Sequence, residues 1–298
     1  MRKLFYIVLS TALLFSLSFT IKEQPASAAD SYNELLGEPV VVYGEQLNDS
    51  QRKEVKELLD VDTSDTEELT VSGEDIAKYI NGNPNSNMYS SVKIIYEEEG
   101  EGIDVDIVTD DNITEVTTDM YENALLTAGV ENATVEVASP VEVSGHSALT
   151  GIYKAYDEDG ETLDEDRMET ANEELDVTTQ LSKRDNVSKE EVTELMTEIK
   201  KEIAEQDPAT KEEVEEIVKE QLDKQDINLS EEDRQMLTDL FDKIRDLDID
   251  FGKLKGQLED ISDKIQDKMD DLDIDEGFWE KVKEFFSDMI DSLSSLFK

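Results

Sequence analysis

The sequence predicts an α+β or α/β fold: a layered N-terminal α/β domain over residues 29–180, then an all-α helical arm over residues 181–298. Three observations predict it. Short β-rich runs alternate with helical patterns up to about residue 176. The run Ile103-Asp104-Val105-Asp106-Ile107-Val108 alternates strictly, giving a strand one buried and one wet face. From Ser188 onward the apolar residues recur at spacings of three and four, the period of a helix.

Residues 1–28 read as a signal peptide. Arg2 and Lys3 precede an apolar run, and Ala26-Ser27-Ala28 supplies the small residues of a cleavage site after Ala28. That run is short for a spanning helix and no later segment approaches twenty apolar residues, so no transmembrane anchor is expected in the mature chain. With no cysteine there is no disulfide, thiolate metal site or lipidated thiol, and an exported chain must rely on its core. The expected location is secreted or extracellular, with association to the cell envelope.

In the first domain, residues 39–43 read as a strand and 50–59 as a helix. Residues 91–96 and 103–108, joined across Gly100 and Gly102, read as a β-hairpin. Thr117 or Thr118 caps a helix carrying Met120, Tyr121, Ala124, Leu125 and Ala128, which Gly129 stops. A strand over 133–138 ends at Pro140, and a helix over 148–156 follows "VSGHSALTG", with Ser144 or Ser147 as its cap.

In the arm, Val192, Leu195, Ile199 and Ile203 form one stripe, ended by Asp207-Pro208. Val214, Ile217, Val218 and Leu222 form a second. After the N-cap Ser230, the residues Leu237, Leu240, Ile244, Leu247, Phe251, Leu254, Leu258, Ile261 and Ile265 make a heptad seam. This predicts one long helix over about 230–272, with Gly252 and Gly256 on its outer side, packed either on the chain's own helices or as a coiled coil between chains. A last amphipathic helix over about 276–297 presents Trp279, Val282, Phe286, Met289, Leu293 and Leu296 as an interaction face. Its acids outnumber its lysines, which disfavours the membrane surface and points to another envelope protein or self-association as partner.

Charge excludes one class of partner. The chain has 76 acids against 28 Lys and Arg, a formal charge of -48, and no basic cluster of the kind that binds nucleic acid. Weak, diffuse calcium binding to so acidic a surface is expected. A dedicated calcium loop is not, because Asp246-Leu247-Asp248-Ile249-Asp250 and its repeat at Asp271-Leu272-Asp273-Ile274-Asp275 lack the glycine at position six and the glutamate at position twelve. No cofactor and no metal site are assigned.

"GHSALTG" resembles the elbow of a serine hydrolase. Leu149 stands where the elbow needs glycine, and the chain's one histidine, His146, lies inside the motif rather than downstream of it. No catalytic residues are assigned. The helix start could instead hold a small anion at Ser144, Gly145 and Ser147. Paired carboxylates remain the alternative chemistry, although acids this numerous carry no informative spacing.

The stretches "GIDVDIVTDDNITEVTTDMYENALLTAGV", "ATVEVASPVEVSG", "ALTGIYKAY" and "DIDFGKLKGQL" resemble the secreted bacterial family named domain of unknown function 1002, the YpuA-like proteins. The resemblance covers most of the chain. It implies export and a two-part layout, brings no activity, and marks His146 as incidental, since the family phrase has variable small residues there. The expected function is an exported, non-enzymatic cell-envelope or extracellular protein that binds or self-associates through its arm. The alternative is a secreted hydrolase using paired carboxylates in the first domain.

Overall fold

The computed structural model describes residues 38–271, apart from 63, 65, 161, 162, 185 and 186. The signal peptide and the final helix with Trp279, Val282, Phe286, Met289, Leu293 and Leu296 lie outside the described residues.

The fold is α+β. Five strands, β1 (Val40–Gly44), β2 (Glu67–Val71), β3 (Ser91–Tyr96), β4 (Ile103–Ile107) and β5 (Ala133–Ala138), form one mixed sheet in the order β2-β1-β3-β5-β4. Two parallel pairs, β1 with β2 and β4 with β5, flank β3, which runs antiparallel to both of its neighbours. Each parallel pair needs a crossover. Helix α1 (Asp49–Leu58) supplies the first, and α3 (Thr118–Ala128) the second. Helix α2 (Gly73–Ile80) follows β2, and α4 (Ser147–Glu158) follows β5.

The expected hairpin is not made, because β5 lies between β3 and β4. Alternation fixes which face of a strand is buried but not which strand it pairs with. Here the turn is drawn onto the start of β5: Asn132 Oδ1 accepts from the Gly100 and Gly102 amides at 2.8 and 3.2 Å, and the Ala133 amide donates to the Gly102 carbonyl. Helix α2, strand β2 and a helix over Glu165–Leu181, which runs across the expected domain boundary, are additions to the elements read from the sequence; β2 buries only Val71 and carries Glu67 and Glu68 exposed, so it has little apolar alternation to read.

One sheet face, with Val40, Val42, Val92, Ile94, Val105, Val135 and Val137, builds the main core with α2 to α4. On the other face α1 covers Val41 and Tyr43 through Val55 and Leu59. Every residue of α3 from Asp119 to Ala128 is buried, because the rest of the chain wraps it. That remainder is α5 (Glu165–Leu181), α6 (Lys189–Gln206), α7 (Lys211–Lys224), α8 (Glu231–Asp246) and α9 (Phe251–Asp271); of these, α5, α6 and α9 touch α3. The polar residues of α3 meet partners on those helices. Lys268 of α9 reaches both Asp119 oxygens at 2.8 and 2.7 Å, Lys264 reaches Glu122 at 2.8 Å, and Asn123 donates to Thr197 of α6. Lys200, 2% exposed, ion-pairs with the 1% exposed Glu174 of α5 at 2.5 Å and donates to Thr127.

The single long helix expected over 230–272 is two helices. α8 stops at Asp246, Leu247 is extended at ψ 150°, and α9 begins at Phe251. The two halves of the seam serve different cores: Leu237, Leu240 and Ile244 pack with α5 to α7, while Leu254, Leu258, Ile261 and Ile265 pack with Leu126 of α3. The break carries Asp246, Asp248 and Asp250, whose mutual repulsion disfavours a helical turn, and Gly252 weakens continuity by about 1 kcal/mol. Ile249 between them packs on both cores. The seam is therefore consumed inside the chain and offers no coiled-coil surface. No helix among the described residues is long and apolar enough to cross a membrane.

Helix α9 also finishes the sheet. Strand β4 is an edge, and two of its outward amides meet side chains: Ile103 donates to Gln257 Oε1 of α9 at 3.2 Å, and Val105 donates to Glu122 Oε1 of α3 at 3.3 Å.

Candidate functional site: a polar cleft at the start of α4

The segment between β5 and α4 is held before α4 begins. Its backbone bonds residues 112–116, with Val143 donating to Asn112 and accepting from Thr114, and Ser144 accepting from Val116. Gly145 has φ 106°, and a Cβ there would sit 2.7 Å from Tyr121 Oη and 2.8 Å from Ile113 Cγ2. Tyr121 donates to the Gly145 carbonyl at 2.6 Å. Glycine is thus required both by conformation and by space.

Neither Ser144 nor Ser147 caps α4, contrary to the expectation. His146 occupies the N-cap and makes no side-chain cap bond, and Ser147 is the first helical residue. The left-handed turn at Gly145 sends Ser144 toward the imidazole instead. Ser144 Oγ lies 3.1 Å from Nδ1, while Nε2 meets Thr179 Oγ1 at 3.1 Å and Asp176 Oδ1 at 3.3 Å, both on α5. Because Thr179 gives its proton to the Asp176 carbonyl, the consistent tautomer carries hydrogen on Nε2 and accepts from Ser144 at Nδ1. Burial lowers the His146 pKa, opposed in part by Asp176 and Glu115. The ring is therefore neutral near pH 7.

This ring stands on the wall of a cleft of about 490 Å³. Ile76, Ile80 and Val143 give it an apolar side, and Tyr89 an aromatic one. Ser144, Ser147, Asn87, Asn172 and Asp176 supply hydrogen-bonding groups. Thr150, fully buried on the first turn of α4, also lines it, and its hydroxyl has no partner among the described residues. The structure brings Ser144 and Ser147 to the cleft, with Gly145 as the buried hinge between them. The sequence reading missed Asp176, Thr179, Asn87 and Tyr89. No local pattern marks them, since they reach His146 and the cleft only through the packing of α5 and of the segment before β3.

A second hollow, of about 410 Å³ between β4 and α9, is lined by Glu101, Asp104, Asp260, Asp263 and Asp267 around Lys264. A carboxylate pair needs one acid whose pKa is raised. The acids raised by burial, Glu122, Asp176, Glu194 and Glu220, do not line this hollow. The first aspartate triplet forms the α8–α9 link; its repeat past Asp271 lies outside the described residues. Among the described residues no three His, Cys, Asp or Glu side chains are placed to share a metal ion.

A family model described as "Protein of unknown function (DUF1002)" matches residues 43–261. The chain belongs to the DUF1002 family. The match takes in every residue that lines the cleft at His146, so that arrangement sits within the DUF1002 region. The chain is also 33% identical over 269 residues to "Uncharacterized protein YpuA" of Bacillus subtilis (strain 168), covering 88% of this chain and 91% of that protein. No solved structure matches this DUF1002 chain.

Proposed function

We propose that the chain is an exported, non-enzymatic binding protein of the cell envelope or exterior, and that its ligand site is the cleft at the start of α4. One observation carries this reading. Hydroxyls, side-chain amides and a neutral imidazole converge on a half-apolar hollow, with the buried Thr150 hydroxyl left unpaired, and such a combination is what small-molecule sites use to fix orientation. Asp176 and Glu115 lie beside His146. A neutral ligand that both donates and accepts hydrogen bonds therefore suits the cleft better than the anion expected from Ser144, Gly145 and Ser147. Export rests on residues 1–28. Docking to another envelope protein or to a second copy rests on the final helix, since the heptad seam is buried and Leu58 is the exposed large apolar side chain among the described residues.

A second reading, a serine-based hydrolase, is favoured by the Ser144 to His146 to Asp176 contacts. Against it, Asp176 is 59% exposed and its grip on the ring correspondingly weak. A thermal-shift screen of neutral sugars, polyols and peptide amides decides. The expected result is a ligand whose affinity falls about fivefold, or about 1 kcal/mol, in Thr150→Val. A fluorophosphonate probe should leave the protein unlabelled. Labelling at Ser144 that disappears in His146→Gln would replace the binding reading with the hydrolase.

A further inference from the structure

The interface between α6 and α9 holds two buried glutamates on one face of α6. Glu194 is 2% exposed and Glu198 4%, and they stand one helical turn apart. Both face the same hydroxyl: Ser262 of α9 donates to Glu194 Oε1 at 2.9 Å and lies 3.4 Å from Glu198 Oε1. Glu198 is balanced by Lys201 at 2.5 Å and by Lys224 of α7 at 3.5 Å. Glu194 has no ion-pair partner among the described residues. Among the described residues its hydrogen-bond partners are Ser262 and Gln266, both uncharged and both on α9, and its Oε2 has none.

We infer that α9 is a pH-sensitive latch, held on α6 while Glu194 is protonated and loosened when Glu194 ionises beside Glu198. Among the described residues the charged groups acting on Glu194 are Glu198 and Lys201, both from α6 itself, with Lys201 already committed to Glu198. From α9 come no charges to it, only Ser262 and Gln266. An ionised Glu194 would thus be a desolvated charge next to a like charge, with neutral donors as its only direct partners. Burial, followed by Glu198, raises its pKa to about 7. The acid's folded pKa lies above its unfolded one, so its favourable contribution is complete below the unfolded pKa and is lost as pH rises through about 7. The polar anchors elsewhere on α9 are matched differently, Gln257 to the β4 backbone, Lys264 to Glu122 and Lys268 to Asp119, so Glu194 is the buried acid that meets α9 through neutral donors alone.

The test is amide hydrogen exchange of the full chain at roughly pH 6 and roughly pH 9, corrected for the intrinsic pH dependence of exchange. Protection over residues 254–269 should fall at least tenfold relative to β5 in the wild type and stay flat in Glu194→Gln. An equal fall in Glu194→Gln, or none in the wild type, overturns the inference. If Glu194→Gln does not fold, carboxyl-carbon NMR of the wild type decides. A glutamate titrating near neutrality in step with α9 exchange supports the latch, and no such glutamate overturns it.

Discussion

Gly145 shows how much of the cleft depends on one residue. Its positive φ lets Ser144 turn to the imidazole, and the space a Cβ would need is taken by Tyr121 Oη and Ile113. Both neighbours are buried and the tyrosine is already bonded to the Gly145 carbonyl, so neither can retreat cheaply. Gly145→Ala should lower stability by about 2–4 kcal/mol, combining left-handed backbone strain with overpacking. Chemical denaturation checks this; a loss under about 1 kcal/mol would mean the loop re-forms around the methyl. The same residue marks the limit of sequence reading. In "GHS" the serine bonded to the imidazole is not the adjacent Ser147 but Ser144, two residues before the histidine, because a left-handed glycine reverses the chain locally. That conformation has no signature in the letters beyond the glycine itself.

Among the elements, α3, α5 and α6 carry the most buried polar chemistry, and it is there that apolar periodicity says least. The α3 segment from Thr117 to Gly129 was legible because Thr117 caps it and Gly129 ends it with φ 98°. Its neighbours were not, since Asp119, Glu122, Asn123 and Thr127 look like a solvent face until α5, α6 and α9 supply their partners. The long seam failed for a related reason. A three-four spacing fixes a helical face but is blind to a change of core midway, and Leu247 to Asp250 is where the chain changes from one core to the other. The Lys200–Glu174 pair joins α6 to α5 beneath α3. Burial pulls the Lys200 pKa down while Glu174 holds it up. Lys200→Met should cost about 3–5 kcal/mol, since Glu174 would keep Thr127 but lose its cation. Adding Glu174→Gln should recover a large part of that loss in a double-mutant cycle; no recovery would show that packing of the lysine stem dominates.

For the whole molecule, the formal charge of -48 sets the response to ions. The ion pairs that tie the surface, such as Lys56 to Glu68 and Lys243 to Glu173, leave a large excess of acids repelling one another. Molar sodium chloride should therefore raise the melting temperature by screening. Millimolar calcium should raise it further than sodium at matched ionic strength, through weak shared binding. Equal effects would dispose of calcium binding and leave screening in place. The two ends of the sheet face this environment differently. The β2 edge is guarded by its own glutamates, whereas β4 has Asp104 and Asp106 on one face but is sealed along its hydrogen-bonding edge by Gln257 and Glu122. A chain that has lost α9, by cleavage or incomplete synthesis, would uncover that edge as a template for strand addition. Such truncated chains would tend to polymerise through β4, so α9 protects the solubility of the sheet as well as closing the core.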